Sequence, residues 1–193
     1  MNENNQQLLL FGIGINKFDV INWEEKKPKL LELLKFDNDP RNECQTDYFQ
    51  YNTRPPYLRD WVDIMKEDID NLVEEFTQGL SEKYQGDCPV RPLDQWQLWS
   101  QRYTTGEFHG AHNHGMMNIS CILYVEFDEN EHEPTAFYSP FPHPYFGTIG
   151  KACPPVKEGT IIAFPSILLH ECPVSKSEIP RTIMSFNLSL IHI

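Results

Sequence analysis

Residues 159–191 read GTIIAFPSILLHECPVSKSEIPRTIMSFNLSLI, and this stretch decides the fold class. Runs of β-branched and aromatic residues are separated there by Pro, Ser and Glu, which predicts short strands at Thr160–Phe164, Leu168–Pro173 and Arg181–Ile191. The same composition upstream predicts four further strands, at Gln95–Tyr103, Asn118–Phe127, Thr135–Tyr138 and Thr148–Ala152. So dense a series of strands predicts a mainly β domain, a sandwich or a barrel.

The first half of the chain supplies helices to support those strands. Residues Trp23–Leu34 place leucines among Lys and Glu and predict a short amphipathic helix. Apolar residues recur at steps of three and four from Leu58 to Leu80 and predict a long helix with an acidic outer face. Gln7–Val20 is apolar and predicts a strand with a bend. We expect a single domain over 1–193, with an N-terminal strand and supporting helices in 1–94 and the β core in 95–193.

Composition and charge exclude several classes of protein. The chain has 16 basic and 28 acidic residues, a net charge of −12, so it would repel a nucleic-acid backbone. No apolar run approaches the roughly 20 residues that cross a bilayer, and the start MNENNQQ lacks the basic region of a signal peptide. The five dispersed cysteines form no C-x-x-C pair, which favours reduced thiols. We expect a cytoplasmic protein that binds neither nucleic acid nor membrane; a homodimer is left open.

Histidines form the strongest chemical pattern in the chain. His112 and His114 are two residues apart, and on an extended chain both rings would point to the same face and reach one metal ion. His170, one or two strands later, is a candidate for a third nitrogen. Arg181 opens an apolar strand, where a buried cation is costly unless it meets an anion. A strand-end arginine in solvent or paired with Glu178 is the alternative.

Four segments in this order resemble the iron(II)- and 2-oxoglutarate-dependent dioxygenases: residues 103–114, 119–125, 159–170 and 181–187. The similarity is greatest to the small oxygenases of marine bacteria and their phages, distant relatives of prolyl 4-hydroxylases. The resemblance covers residues 95–191 and implies a double-stranded β-helix, or jelly roll, that encloses a metal site. It also implies that 2-oxoglutarate is decarboxylated to succinate while a protein side chain or a small molecule is hydroxylated.

The resemblance assigns cofactor roles to particular residues. It implies that His112 and His170 bind iron(II) and that Arg181 holds the distal carboxylate of 2-oxoglutarate. Tyr103 and Tyr124 correspond to tyrosines that flank the cosubstrate in hydroxylase relatives.

One ligand position departs from the wider family, which has a carboxylate where this chain has His114. Replacing an anion with a neutral imidazole raises the net charge of the site by one unit and places catalysis in question. Three accounts stay open: a three-histidine iron site, which we favour, a replacement of His114 by Glu107 or Glu171, or a metal other than iron.

Two further classes of function compete with the oxygenase. Three histidines with an open position also suit a zinc hydrolase or lyase or a cupin-like enzyme, and a jelly roll can be a non-catalytic binding or structural module. Arg181 separates the two enzyme classes, because a zinc hydrolase has no general need for a buried arginine beyond its last ligand, whereas a 2-oxoglutarate site does.

Overall fold

The computed structural model of this chain describes residues 6–10, 12–36, 43–48, 60–84, 90–91, 98–115, 119–143 and 145–190. The helices in these residues are α1 (Trp23–Leu33) and α2 (Asp60–Tyr84). The strands are β1 (Gln6–Leu10), β2 (Ile13–Asp19), β3 (Gln45–Thr46), β4 (Val90–Arg91), β5 (Leu98–Tyr103), β6 (His109–His112), β7 (Ile119–Glu126), β8 (Ala136–Pro142), β9 (Ile149–Ala152), β10 (Thr160–Pro165), β11 (His170–Cys172) and β12 (Arg181–Leu190).

The strands form a larger and a smaller antiparallel sheet. The larger has the order β1-β2-β10-β7-β12-β5-β3, with β4 paired to β12, and the smaller has the order β6-β11-β8-β9. From β5 to β12 the chain passes back and forth between the sheets, so that β5, β7, β10 and β12 lie in one and β6, β8, β9 and β11 in the other. This is the double-stranded β-helix predicted from the sequence.

Strand alternation gives the larger sheet two apolar faces. On β7, Ile119, Cys121 and Leu123 point toward the helices, while Ile122 and Tyr124 point between the sheets, because successive side chains leave a strand on opposite faces. The helical side is covered by apolar residues of α2, among them Trp61, Met65, Ile69 and Leu72. No described helix combines the length and the hydropathy needed to span a bilayer. Because apolar residues of α2 cover one face of the larger sheet, the space between the two sheets remains available for a functional site.

The structure differs from the predicted elements in several places, and it adds the two-residue strands β3 and β4, which were not predicted. The single bent strand Gln7–Val20 is instead the hairpin β1–β2, whose turn contains Gly12 at a positive φ of 78°. The sequence pattern does not predict β6, because its residues His-Gly-Ala-His are few, half exposed and without alternation. The hairpin strand β8 continues to Pro142, past the predicted end at Tyr138. The predicted helix start at Leu58 lies outside the described residues, where α2 begins at Asp60.

Candidate metal centre

Strand pairing brings His112 and His170 together. His112 is the last residue of β6, His170 is the first of β11, and the two are direct partners across the antiparallel pair. Their ring centroids are 4.4 Å apart, and the ring of His114, two residues beyond β6, lies 5.2 Å from His112 and 5.1 Å from His170. The potential ligand atoms of all three lie within 4.8 Å of one another, so the group can hold a metal ion.

Hydrogen bonds leave the same ring nitrogen of each histidine free. His112 Nδ1 lies 2.7 Å from the carbonyl oxygen of Gly110, and His170 Nδ1 lies 2.9 Å from that of Leu168. A carbonyl can only accept, so each Nδ1 carries the proton and each Nε2 keeps its lone pair. His114 Nδ1 lies 2.8 Å from Asn187 Oδ1 and has the same tautomer. The residues present therefore fit a metal bound through three Nε2 atoms.

Burial keeps these rings neutral. Removal from water lowers the pKa of all three, and for His170 the neighbouring His112 adds to the effect and brings the pKa to about 3. His109, whose ring centroid is 4.2 Å from that of His112, has its pKa lowered to about 4, chiefly by burial. Neutral imidazole is the form that binds a metal, so protons do not compete for these nitrogens near neutral pH.

The metal-free chain is expected to lose stability on mild acidification. The pKa of His170 is about 3 in the folded chain against 6.5 ordinarily, so between these values the unfolded chain binds more protons than the folded one. The contribution of neutral His170 to the free energy of unfolding is then complete above pH 6.5 and declines as the pH falls toward 3. Urea unfolding of the metal-free chain at two pH values, about 7 and about 5, should give a lower midpoint at the lower pH. A His170→Asn variant should show a smaller decrease; an equal decrease would contradict the assignment.

The carboxylates considered as substitutes for His114 are engaged elsewhere. Glu107 Oε2 accepts from the backbone N–H of Thr104 at 2.6 Å, and Glu171 Oε1 pairs with Lys151 Nζ at 2.6 Å. Within the described part of the chain, the cluster that can hold a metal contains three histidines and no carboxylate. The geometry therefore supports the three-histidine account.

Arg181 is buried at the start of β12, with 2% of its surface exposed. Its Nη2 donates to Thr135 Oγ1 at 3.2 Å, and its Nη1 contacts Cys172 Sγ. The guanidinium carbon lies 5.4 Å from the ring centroid of Tyr103 and 5.7 Å from that of Tyr124. The alternative partner Glu178 instead accepts from the hydroxyl of Thr105.

Arg181 has no anionic partner of its own. Among the described residues, no carboxylate forms an ion pair with it, and its buried Nε has no hydrogen-bond partner. A buried cation without an anion is costly. This environment suits a ligand that brings a negative charge.

A small pocket adjoins the histidines. Its lining includes the three rings together with Trp99, Tyr103, His109, Thr135 and Cys172. Arg181 itself lines a neighbouring pocket together with His132, Lys176 and the carboxylates Glu131 and Glu133. Glu133 pairs with Lys176, and Glu131 accepts from the hydroxyl of Ser177. The hydrogen-bond partners of Arg181, Thr135 and Cys172, stand between it and the histidine pocket, so the guanidinium lies one side chain behind the metal site.

Sequence reasoning missed two groups that contact the histidines. Glu43 Oε2 lies 3.4 Å from His109 Nδ1, a contact between residues far apart in the chain that no local pattern indicates. Asn187, the partner of His114, could have been predicted from the sequence. It lies on β12 an even number of residues after Arg181, so the two side chains point to the same face of the strand.

Comparisons with known proteins give one family and a set of similar folds. A sequence profile of the family described as "Putative 2OG-Fe(II) oxygenase" matches residues 97–187. A prolyl-4-hydroxylase from Pseudomonas putida has a TM-score of 0.62 and 14% identity, over 93% of this chain and 94% of that one. No curated protein matches this sequence.

Two further solved structures are similar at the level of the fold. One is a prolyl hydroxylase from Trichoplax adhaerens in complex with a hypoxia inducible factor oxygen degradation domain peptide fragment, with TM-score 0.56 and 10% identity over 91% of this chain and 83% of that one. The other is HygX from Streptomyces hygroscopicus with nickel and 2-oxoglutarate bound, with TM-score 0.58 and 13% identity over 92% and 83%.

Proposed function

We propose that this chain is an iron(II)- and 2-oxoglutarate-dependent oxygenase, as its family match and its structural neighbours indicate. In this proposal, His112, His114 and His170 hold the metal. The family resemblance and the jelly-roll fold predicted from the sequence are confirmed. The two predicted cofactors, iron(II) and 2-oxoglutarate, are also confirmed at the level of the family. The roles of individual residues are part of the proposal.

One observation carries the proposal: three neutral imidazoles converge on a pocket whose lining residues Thr135 and Cys172 contact, from behind, a buried arginine that forms no ion pair with a carboxylate among the described residues. Three histidines alone also suit a zinc-bound water. A buried, planar guanidinium is suited to bind a carboxylate through two parallel hydrogen bonds. The combination favours a dicarboxylate cosubstrate over simple hydrolysis.

The chain's residues have separable roles in this proposal. When bound, iron(II) and 2-oxoglutarate would supply the oxidising chemistry together with dioxygen, one oxygen atom entering succinate as carbon dioxide is released and the other entering the substrate. Arg181 binds the distal carboxylate of 2-oxoglutarate, and the hydroxyl of Tyr103, whose ring lies beside the guanidinium, donates to the same carboxylate. The Tyr124 hydroxyl donates to Thr135 Oγ1 at 2.9 Å, so Tyr124 flanks this site by positioning Thr135.

The substrate is proposed to be a protein side chain or a small molecule with apolar groups. His170 pairs with Phe137, so the rest of β8 and its turn extend past the N-terminal end of β11, on the side of the metal site. Phe141 (68% exposed) near the end of β8 and Tyr145 (87%) and Phe146 (77%) in the following turn form an apolar lip that a substrate can contact. A neighbour with a peptide bound supports the protein option.

The cellular setting is a smaller part of the proposal. The described cysteines Cys44, Cys121, Cys153 and Cys172 are unpaired, which supports a reducing, cytoplasmic location. A homodimer stays a prediction.

Succinate production tests the proposed activity. The purified chain is incubated with ferrous iron, 2-oxoglutarate and oxygen, and succinate is measured by mass spectrometry. We expect succinate that depends on iron and disappears in His112→Ala, because this variant lacks a ligand of the proposed centre. Peptides and metabolites that increase succinate formation identify the substrate class. Succinate formed equally by His112→Ala and the unchanged chain would contradict the proposal.

A further inference from the structure

The three histidines differ in what orients them. His112 and His170 each donate from Nδ1 to a main-chain carbonyl two residues earlier in the chain, Gly110 and Leu168. His114 instead donates to a side chain, Asn187 Oδ1, 73 residues away. A main-chain carbonyl stays in place under substitution, whereas a side-chain acceptor does not. His114 is therefore the one ring of the three whose orientation depends on another residue's identity.

The acceptor of His114 is part of a buried network. Ser120 is the partner of Asn187 across β7 and β12, and its Oγ donates to Asn187 Oδ1 at 2.7 Å. Ser120 Oγ also lies 2.9 Å from Ser166 Oγ, just after β10. Exposure is 0% for Ser120 and 1% for both Ser166 and Asn187, so these polar groups depend on one another for hydrogen bonds.

The network attaches His114 to the larger sheet. The backbone N–H of His114 donates to the carbonyl oxygen of Ser166 at 2.9 Å, while its ring contacts Asn187 of β12 and Ser120 of β7. His112 and His170 belong to the smaller sheet. The network therefore sets where the third ligand lies relative to the other two, across the gap between the sheets.

We propose that Asn187, held by Ser120, is the positioning residue of the third metal ligand, an inference that rests on the proposed metal centre. With Oδ1 as acceptor, the proton of His114 lies on Nδ1 and Nε2 keeps the lone pair that binds the metal. A reversed amide would donate to Nδ1, place the proton on Nε2 and remove that ligand. The Ser120 hydroxyl, which donates to the same oxygen, favours the productive orientation.

The charge of residue 187 sets the strength of the ligand. Asn187 is neutral, so it orients His114 without making its ring more basic. An aspartate there would accept the same proton with a full negative charge and increase the electron donation of the imidazole, as in carboxylate–histidine–metal arrangements. Asn187→Asp should therefore bind metal at least as tightly as the unchanged chain, and Asn187→Ala should bind it about 10–100-fold more weakly.

Cobalt(II) binding to the full chain tests this inference without an activity assay. Dissociation constants are measured by calorimetry, and the visible absorption of cobalt reports coordination. The variants are Asn187→Ala, Asn187→Asp and His114→Ala, with circular dichroism to verify folding. Ser100→Ala is the matched control, because Ser100 is equally buried (0% exposed) in the larger sheet and its hydroxyl has no partner among the described residues. The control should bind cobalt normally.

The outcomes separate the two proposals. Normal cobalt binding by Asn187→Ala together with weak binding by His114→Ala would overturn the role of Asn187 and leave the metal centre standing. Equally weak binding by the alanine and aspartate variants would also overturn it, since that is the result of a role in packing alone. If Asn187→Ala does not fold, Ser120→Ala tests the inference instead. Ser120→Ala should bind cobalt severalfold more weakly than the unchanged chain, and normal binding would reject the inference. Absence of binding by the unchanged chain would overturn the metal centre itself.

Discussion

Replacing His170 with alanine is expected to eliminate stable iron(II) binding. His170 is 3% exposed and its free nitrogen belongs to the group that can hold a metal. Loss of a hydrogen-bond partner behind a ligand already costs about 10–100-fold in affinity, so loss of the ligand itself should cost more than about 100-fold. Metal content after anaerobic dialysis, measured by mass spectrometry, gives the result.

His143→Ala is the matched control for that substitution. His143 lies in the β8–β9 turn, where its ring stacks on Phe146 with centroids 4.7 Å apart, away from the cluster that can hold a metal. This variant should retain iron like the unchanged chain. Equal iron retention by the His170 and His143 variants would show that the histidine cluster does not form the metal centre.

Replacing Arg181 with methionine should lower the affinity for 2-oxoglutarate by more than about 100-fold, because a buried charge-assisted pair with the distal carboxylate is lost. The free chain should not be destabilised in proportion. Arg181 is buried without an ion pair among the described residues, so an apolar side chain of similar length removes an uncompensated charge. Thermal unfolding with and without 2-oxoglutarate, in the presence of manganese(II), measures both effects.

Ligand-dependent stabilisation distinguishes binding from folding in this experiment. The unchanged chain should unfold at a higher temperature when 2-oxoglutarate is added, since a ligand that binds only the folded state stabilises it. Arg181→Met should show no such increase. Arg102→Met is the control, because Arg102 is partly exposed and pairs with Glu126 at 3.0 Å. A full increase in Arg181→Met would place the cosubstrate elsewhere.

Sequence patterns located most of the strands because the two faces of each buried strand have different partners. In β7, alternate residues point to the helices or to the space between the sheets, and both sets are apolar enough to be detected. β6 escaped detection for the converse reason. β6 is short and half exposed, and it is held mainly by pairing with β11, so its residues do not alternate between two apolar faces.

The composition and spacing of residues alone determined a mainly β domain, the supporting helices and the three candidate histidines, and the family resemblance added the jelly roll. These properties depend on local alternation and on residue type. Only the tertiary structure decided which nitrogen of each ring is free, that Glu107 and Glu171 are engaged elsewhere, and that Arg181 is buried without an ion pair to a described carboxylate. Such features arise from pairs distant in the chain, such as His114 with Asn187, and no local pattern encodes the distance between their atoms.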